Sequence, residues 1–440
     1  MKEQDYRFQI LETDTTKYPI FTITMAVVLM LLARFTTSYL ALVSFFICVY
    51  RVVRFDAKIF AVDYCILMPM TALMKLQNGT PLAIYLTLFA GIWYLIRGGV
   101  RVSTPFVVLL VLLNYLMLRM QLNVNDFMLF FGNMFVLVVL LPQQDQVSAE
   151  RAMRCFCLSL LISSVYAYAL RNTASLADLT GANEQPMWGT NLKRFEGLMA
   201  DPNYYMTMLI TGLALLLKLK DTKKIHIVSF WIQIVAIGFF GVVTYSKTFF
   251  LMLIFLVGVY VIWQFWNKKV FKGLFFSAAA VVALFLMFTM ENSPFAAVLN
   301  RLTGAQNLSQ LTTSRTDLYL LYWGEITENL SSFFFGKGLA AQPLYRDPHN
   351  VYIELCYYVG FVGMILFTVL FVTVMRETIA RACAGTKENW ISKYMILISV
   401  AIMYIALQGI FIQTFHAEIF LALISIYLTK EKSTERMICE

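Results

Sequence analysis

Charge is scarce in this chain of 440 residues: 14% are Asp, Glu, Lys or Arg, while 60% are hydrophobic. Soluble domains carry about 25% charged residues, so a soluble globular fold is excluded and the solvent for most of the surface must be lipid. Other absences narrow the chemistry. The three histidines form no helical pair, and there is no aspartate cluster. Of the seven cysteines, Cys155 and Cys157 stand one residue apart while Cys48, Cys65, Cys356, Cys383 and Cys439 are scattered; they read as packing residues, and no metal site is expected. No glycine-rich nucleotide loop occurs, which removes ATP as an energy source, and no cofactor is called for. The first 19 residues are polar and lack a signal-peptide cleavage pattern, so the first apolar run is expected to stay in the membrane. The net charge of +9 shows no basic stripe interleaved with aromatics; it reports topology, and nucleic acid is not an expected partner.

What is present is a succession of apolar runs. A hydrocarbon core about 30 Å thick needs roughly 20 apolar residues per helix, fewer where polar ends snorkel. Backbone groups in lipid must pair within their own segment, which makes helices the default element. The expected fold is all-α, a polytopic membrane helix bundle. Its spans fall near 18–33, 36–52, 59–76, 81–96, 104–119, 125–141, 153–170, 203–218, 225–244, 248–266, 270–289, 351–375, 393–413 and 416–429. These about fourteen helices put both termini on one side. With that side inside, 24 of the 35 lysines and arginines lie on the inner face and 11 outside, the bias of a cytoplasmic-membrane protein with cytoplasmic termini.

Two connections exceed the length of a turn, 171–203 and 291–350, and both fall outside. Connections longer than about 15 residues are uncommon unless they carry function. The chain therefore divides into N-terminal helices (1–170) and a C-terminal part (171–440) that holds the two outer loops. Within the second loop, TDLYLLYWGEITENL at 316–330 has helical apolar spacing and suits a helix on the membrane surface or one capping the bundle.

Candidate chemistry gathers in these loops. Asp201 and Asn203 flank Pro202 before a span; capping alone accounts for both, and with Asn350 they are also candidates for substrate contact. Capping leaves Arg194 and Gly197 unexplained; a guanidinium in the turn before a helix N-terminus suits a phosphate. Lys247, in a short outer turn, either snorkels or makes a second anion contact. Arg315 lies in the second loop, which ends in Asp347-Pro348-His349-Asn350. His226 opens a helix on the inner side and His416 sits in a short outer turn. His349 follows a proline and precedes a helix, beside an asparagine able to orient it. Its imidazole either acts as a base near neutral pH, with Asp347 as the rival, or caps the helix.

The segments RFEGLMADPNYY (194–205), YSKTFF (245–250), SRTDLYLLYWGEI (314–326), FFGKGL (334–339) and PHNVYIELCYYVGFVG (348–363) together resemble the O-antigen polymerase and O-antigen ligase superfamily of bacterial glycan-assembly proteins. The resemblance covers about 190–375. It implies a metal-independent, inverting glycosyltransferase on the outer face, with a polyprenyl-diphosphate-linked glycan as donor and a sugar hydroxyl as acceptor. It also implies catalytic roles for Arg194, Arg315 and His349, and flippase and chain-length regulator proteins as companions. Lys247 departs from the arginine that many relatives place in that turn, and lysine lacks the bidentate fork. A polymerase of lipid-linked repeats is the favoured expectation. A ligase acting on a lipid A core or another acceptor is the alternative. A flippase, in which the charged outer residues form a substrate vestibule and Asp63 and Glu354 are the main carboxylates within spans, is the alternative of another class.

Overall fold

The computed structural model describes residues 18–76, 81–97, 103–119, 124–171, 184–186, 193–199, 201–271, 273–275, 277–278, 314–338, 341, 344, 348–382, 390–405 and 417–428. The described chain is all-α apart from one two-stranded hairpin. Helices α1 to α7 are Ile20–Ala33, Tyr39–Arg54, Ala57–Leu67, Leu82–Arg97, Thr104–Arg119, Val124–Leu140 and Gln146–Leu170. Strands β1 (Glu184–Pro186) and β2 (Lys193–Phe195) follow, then α8 (Pro202–Asp221), α9 (Ile227–Val243) and α10 (Lys247–Trp266). Helices α11 (Arg315–Thr327), α12 (Leu330–Phe335), α13 (Val351–Ala382), α14 (Trp390–Met403) and α15 (Ala417–Ile424) complete it.

Three helices, α7, α10 and α13, are long and apolar enough to cross a membrane, and seven more apolar helices are shorter. Bulky apolar side chains face outward on many of them, such as Phe21 at 76% exposure and Leu118 at 84%.

Local signals account for the boundaries. Asp56 caps α3 by accepting from the Ile59 N–H, and the α3 helix tightens to a 3-10 turn over Met68–Leu73, which contains Pro69. A reciprocal capping box between Asp145 and Ser148 starts α7 at Gln146, several residues before the expected 153, because the charged residues Glu150, Arg151 and Arg154 belong to its first turns. His226 caps α9 through Nδ1. The expected span 270–289 and the loop 291–313 lie largely or wholly outside the described residues. The short strands in the first loop were not foreseen.

Contacts between helix ends sort the bundle into two ends. At one end Lys58 pairs with Asp145 at 2.6 Å, and Arg97 donates to the carbonyls of Val53 and Phe55. There too Arg381 donates to Pro142, Tyr427 to Leu141, and Lys224 pairs with Glu150. At the other, Tyr166 donates to the Leu31 carbonyl, Tyr205 to Ser164, Thr207 to Glu418, and the Val351 N–H to the Tyr404 carbonyl. With their flanking turns, α7, α8, α13 and α15 reach both ends, as an up-and-down arrangement requires.

At this second end α13 is broken. Gly360 takes φ +66° and ψ −175° inside the helix, so the carbonyls before it lose helical partners. The turn after α12 replaces them: the Lys337 N–H donates to the Tyr357 carbonyl at 2.8 Å and the Gly338 N–H to Tyr358 at 2.9 Å. The Tyr115 hydroxyl of α5 donates to the Val359 carbonyl at 2.6 Å. Backbone meets backbone here, since a Cβ on Gly336 would lie 2.5 Å from the Tyr358 carbonyl and one on Gly360 2.4 Å from the Gly336 nitrogen. The glycines of FFGKGL and YVGFVG are thus two halves of one joint.

Gly360→Ala adds a left-handed backbone penalty to a steric one, together about 2–4 kcal/mol. In detergent, thermal unfolding of Gly360→Ala should fall by many degrees. Gly258→Ala, where nothing lies within 4 Å of the added carbon, should melt like the parent.

Candidate functional site

The first cluster is built from a strand, a turn and two helix N-termini. β2 pairs antiparallel with β1, setting Arg194 opposite Gln185. Strand alternation turns Phe195 into the core, edge-on to Tyr168 and Tyr205 at 5.6 and 5.5 Å, and Arg194 the other way. Gly197 then reverses the chain at φ +62°, with the Tyr205 ring 2.5 Å from where a Cβ would be. Pro202 opens α8, and the Asp201 carboxylate accepts from the Asn203 N–H at 2.6 Å.

Asn203 is the hub. Its Oδ1 accepts from Arg194 Nη2 at 3.4 Å and from the Ser246 hydroxyl at 3.2 Å, while Arg194 Nε donates to the Thr244 carbonyl at 3.2 Å. Arg194 is therefore fastened between the N-terminal turn of α8 and the turn that opens α10 at Lys247. That turn is tight, with Tyr245 at φ +48°. Two positive helix ends and a half-buried guanidinium converge, an arrangement that favours an anion such as a phosphate.

Glu196, which sequence reasoning passed over, lies in the same turn. It has no exposed surface, and neither carboxyl oxygen has a hydrogen-bond partner among the described residues. Burial, then the nearby Asp201 charge, push its carboxyl up to about 8 against the opposing pull of Arg194. A carboxylate inside an apolar run, RFEGLM, was the available signal.

The second cluster lies at the junction of α11, α13 and α14. Arg315 is the first residue of α11, after Ser314 at φ +60°. Leu318, Tyr322 and Ile326 bury one face of α11, Tyr322 edge-on to Tyr357 of α13 at 4.8 Å, so the helix caps the bundle; Leu320 and Trp323 remain exposed. One turn after Arg315, the Tyr319 hydroxyl donates to the carbonyls of His349 and Ile405, at 3.4 and 3.2 Å. Tyr319 thus brings the α11 face bearing Arg315 to the backbone of His349. His349 itself is half-buried, in the left-handed region at φ +51°.

Asn350 does not orient the imidazole through its amide oxygen. That oxygen accepts from the N–H groups of Tyr352 and Ile353, at 3.0 and 3.2 Å, and so caps α13. Asp347 and His416 lie outside the described residues.

The two clusters occupy the same end of the bundle. α14, whose last turn receives the Val351 N–H, packs against both α8 and α10, whose first turns hold Asn203 and Lys247. Compared with protein-family models, with curated proteins and with solved structures, the chain shows no match.

Asp201→Ala and Asn350→Ala each remove a side-chain cap worth about 1 kcal/mol. Thermal unfolding should record a drop of a few degrees for each, and Asp201→Asn, which keeps an accepting oxygen, should restore the loss.

Proposed function

We propose that the chain is a bacterial surface-polysaccharide polymerase, joining polyprenyl-diphosphate-linked repeat units on the outer face of the cytoplasmic membrane. The observation that carries this reading is the cluster that fastens Arg194 between the N-termini of α8 and α10, at the end of the bundle that also holds Arg315 and His349.

In the proposed reaction the acceptor hydroxyl attacks the anomeric carbon of the donor. Its proton passes to His349, and the bond to the diphosphate breaks. The leaving diphosphate carries the charge that Arg194 and Arg315 neutralise, with Lys247 as a further cation at the α10 N-terminus. Preorganised donors at developing charge are typically worth about 3–4 kcal/mol each.

The membrane setting rests on the three helices of spanning length, the shorter apolar helices and their outward apolar faces. In lipid these faces are at home; in water they would form patches far larger than soluble proteins expose. The bundle end holding Lys58, Arg97, Arg154, Lys224 and Arg381 suits the inner face, which leaves the clusters outside. About fourteen spans remain the proposed total.

The decisive experiment is deletion of the gene followed by analysis of the carrier-linked glycan. Single repeats on the carrier support the polymerase, stranded polymer a ligase acting on another acceptor, and an unchanged product sinks both. In complementation, Arg194→Ala, Arg315→Ala and His349→Ala should each leave membrane-inserted protein with polymer output lowered by about two to three orders of magnitude. Arg315→Lys should also be impaired, because a lysine cannot bridge two phosphate oxygens in a plane.

The orientation has its own check on a cysteine-free background. A cysteine placed at 220 should label only after the membrane is opened, and one at 314 should label from outside; the reverse pattern would overturn the topology.

A further inference from the structure

Glu196 is the least comfortable side chain in the described structure. Its carboxyl is wholly buried, lacks a hydrogen-bond partner among the described residues, and follows Arg194 by two positions on an extended segment. Burying a polar group without a partner is costly, and far more so if the group is charged. A packing role would be filled at lower cost by leucine or methionine. The backbone does not require a carboxyl either: the Glu196 carbonyl accepts from the Met199 N–H, and Gly197 alone makes the left-handed turn.

Glu196 follows the strand that carries Arg194, ahead of the turn at Gly197, and the Arg194 charge acts on its carboxyl. The guanidinium donates to the Thr244 carbonyl and to the Asn203 amide oxygen through contacts of 3.2 and 3.4 Å, which are long for a charged donor. A carboxylate two residues away is a stronger partner than either.

We propose that Glu196 is a positioning residue that decides whether Arg194 is available to the donor diphosphate. As a neutral acid it leaves the guanidinium at Asn203 and the phosphate; as a carboxylate it draws the guanidinium to itself. This rests on the donor reading above.

The linkage follows directly. The charged groups acting on Glu196 are Asp201, which disfavours its ionisation, and Arg194, which favours it. A bound diphosphate adds negative charge beside the carboxyl and takes Arg194 away from it, so binding and ionisation oppose each other. Affinity is fully present below the free-state value of about 8 and is lost as pH rises through it. Binding above that pH takes up one proton from solvent.

The test uses the full chain in lipid nanodiscs and farnesyl diphosphate as the probe, with calorimetry at pH 7 and pH 9 in two buffers of different ionisation enthalpy. Wild-type affinity should fall about tenfold between these pH values, given a carboxyl at about 8, with close to one proton taken up at pH 9. Glu196→Gln, permanently neutral and of the same shape, should bind like the wild type at pH 7, lose little by pH 9 and take up no proton. If wild type and Glu196→Gln share one pH profile, the role of Glu196 is refuted while the donor reading stands. If the wild type binds no farnesyl diphosphate at either pH, the donor reading falls and this role with it. Should Glu196→Gln fail to fold, proton uptake by the wild type still decides: none at pH 9 refutes the proposal.

Discussion

A backbone carbonyl that leaves its helix inside the bundle must be received by another donor, and that constraint organises the end of the molecule where function is proposed. The break at Gly360 exposes three successive carbonyls, two taken up by the turn after α12, through the Lys337 and Gly338 N–H groups, and the third by the Tyr115 hydroxyl of α5. Those three bonds tie the turn after α12, the first half of α13 and the end of α5 into one body. α11 is then seated on that body by Leu318, Tyr322 and Ile326, and its Tyr319 reaches His349. Irregular backbone at such depth is tolerated because protein surrounds it.

The Arg194 cluster rests on the same logic applied to helix N-termini. The first turn of a helix has N–H groups without helical acceptors; Asp201 serves that of Asn203, which leaves the Asn203 side chain to hold Arg194 and Ser246. Capping and the seating of the guanidinium are therefore successive layers of one arrangement. Asp201 fixes the turn, Asn203 fixes the guanidinium, and the dipoles of α8 and α10 add to its charge.

Much of this was legible in advance. Apolar runs broken by charge located many of the described helices because length and hydropathy mark a helix with an apolar outer face, and Thr104–Arg119 matches its expected bounds. The DPN signature gave the start of α8, since Asp at N-cap and Pro at the first position act locally. What was not legible depends on partners distant in sequence. The break in α13 needs Gly336 to approach Gly360, and nothing within YVGFVG announces that partner. Asn350 looked able to orient His349, yet local geometry gives its oxygen to Tyr352 and Ile353. Glu196 escaped notice because a single carboxylate in RFEGLM carries no period; its position among apolar residues was the one signal, and its burial gives that signal meaning.

The N-terminal helices bear on the choice between the transferase and carrier readings. A carrier reading leaned on Asp63 as a carboxylate inside a span, and Asp63 is indeed buried in α3. Its two oxygens accept a bidentate pair from Arg51 at 2.7 Å each, and Tyr18 donates to it as well. Arg51 is further engaged by the Pro19 carbonyl, by Thr22 and by the ring of Phe55, 5.0 Å away. A charge pair this fully bonded has its desolvation offset by geometry, and it clamps α1, α2 and α3 together. A carboxylate that must load and release a substrate or proton needs an open coordination position, and Asp63 has its oxygens engaged by two side chains at once. Arg51 and Asp63 thus act as a scaffold, and the proposed chemistry rests on the side chains at the N-terminal turns of α8, α10, α11 and α13.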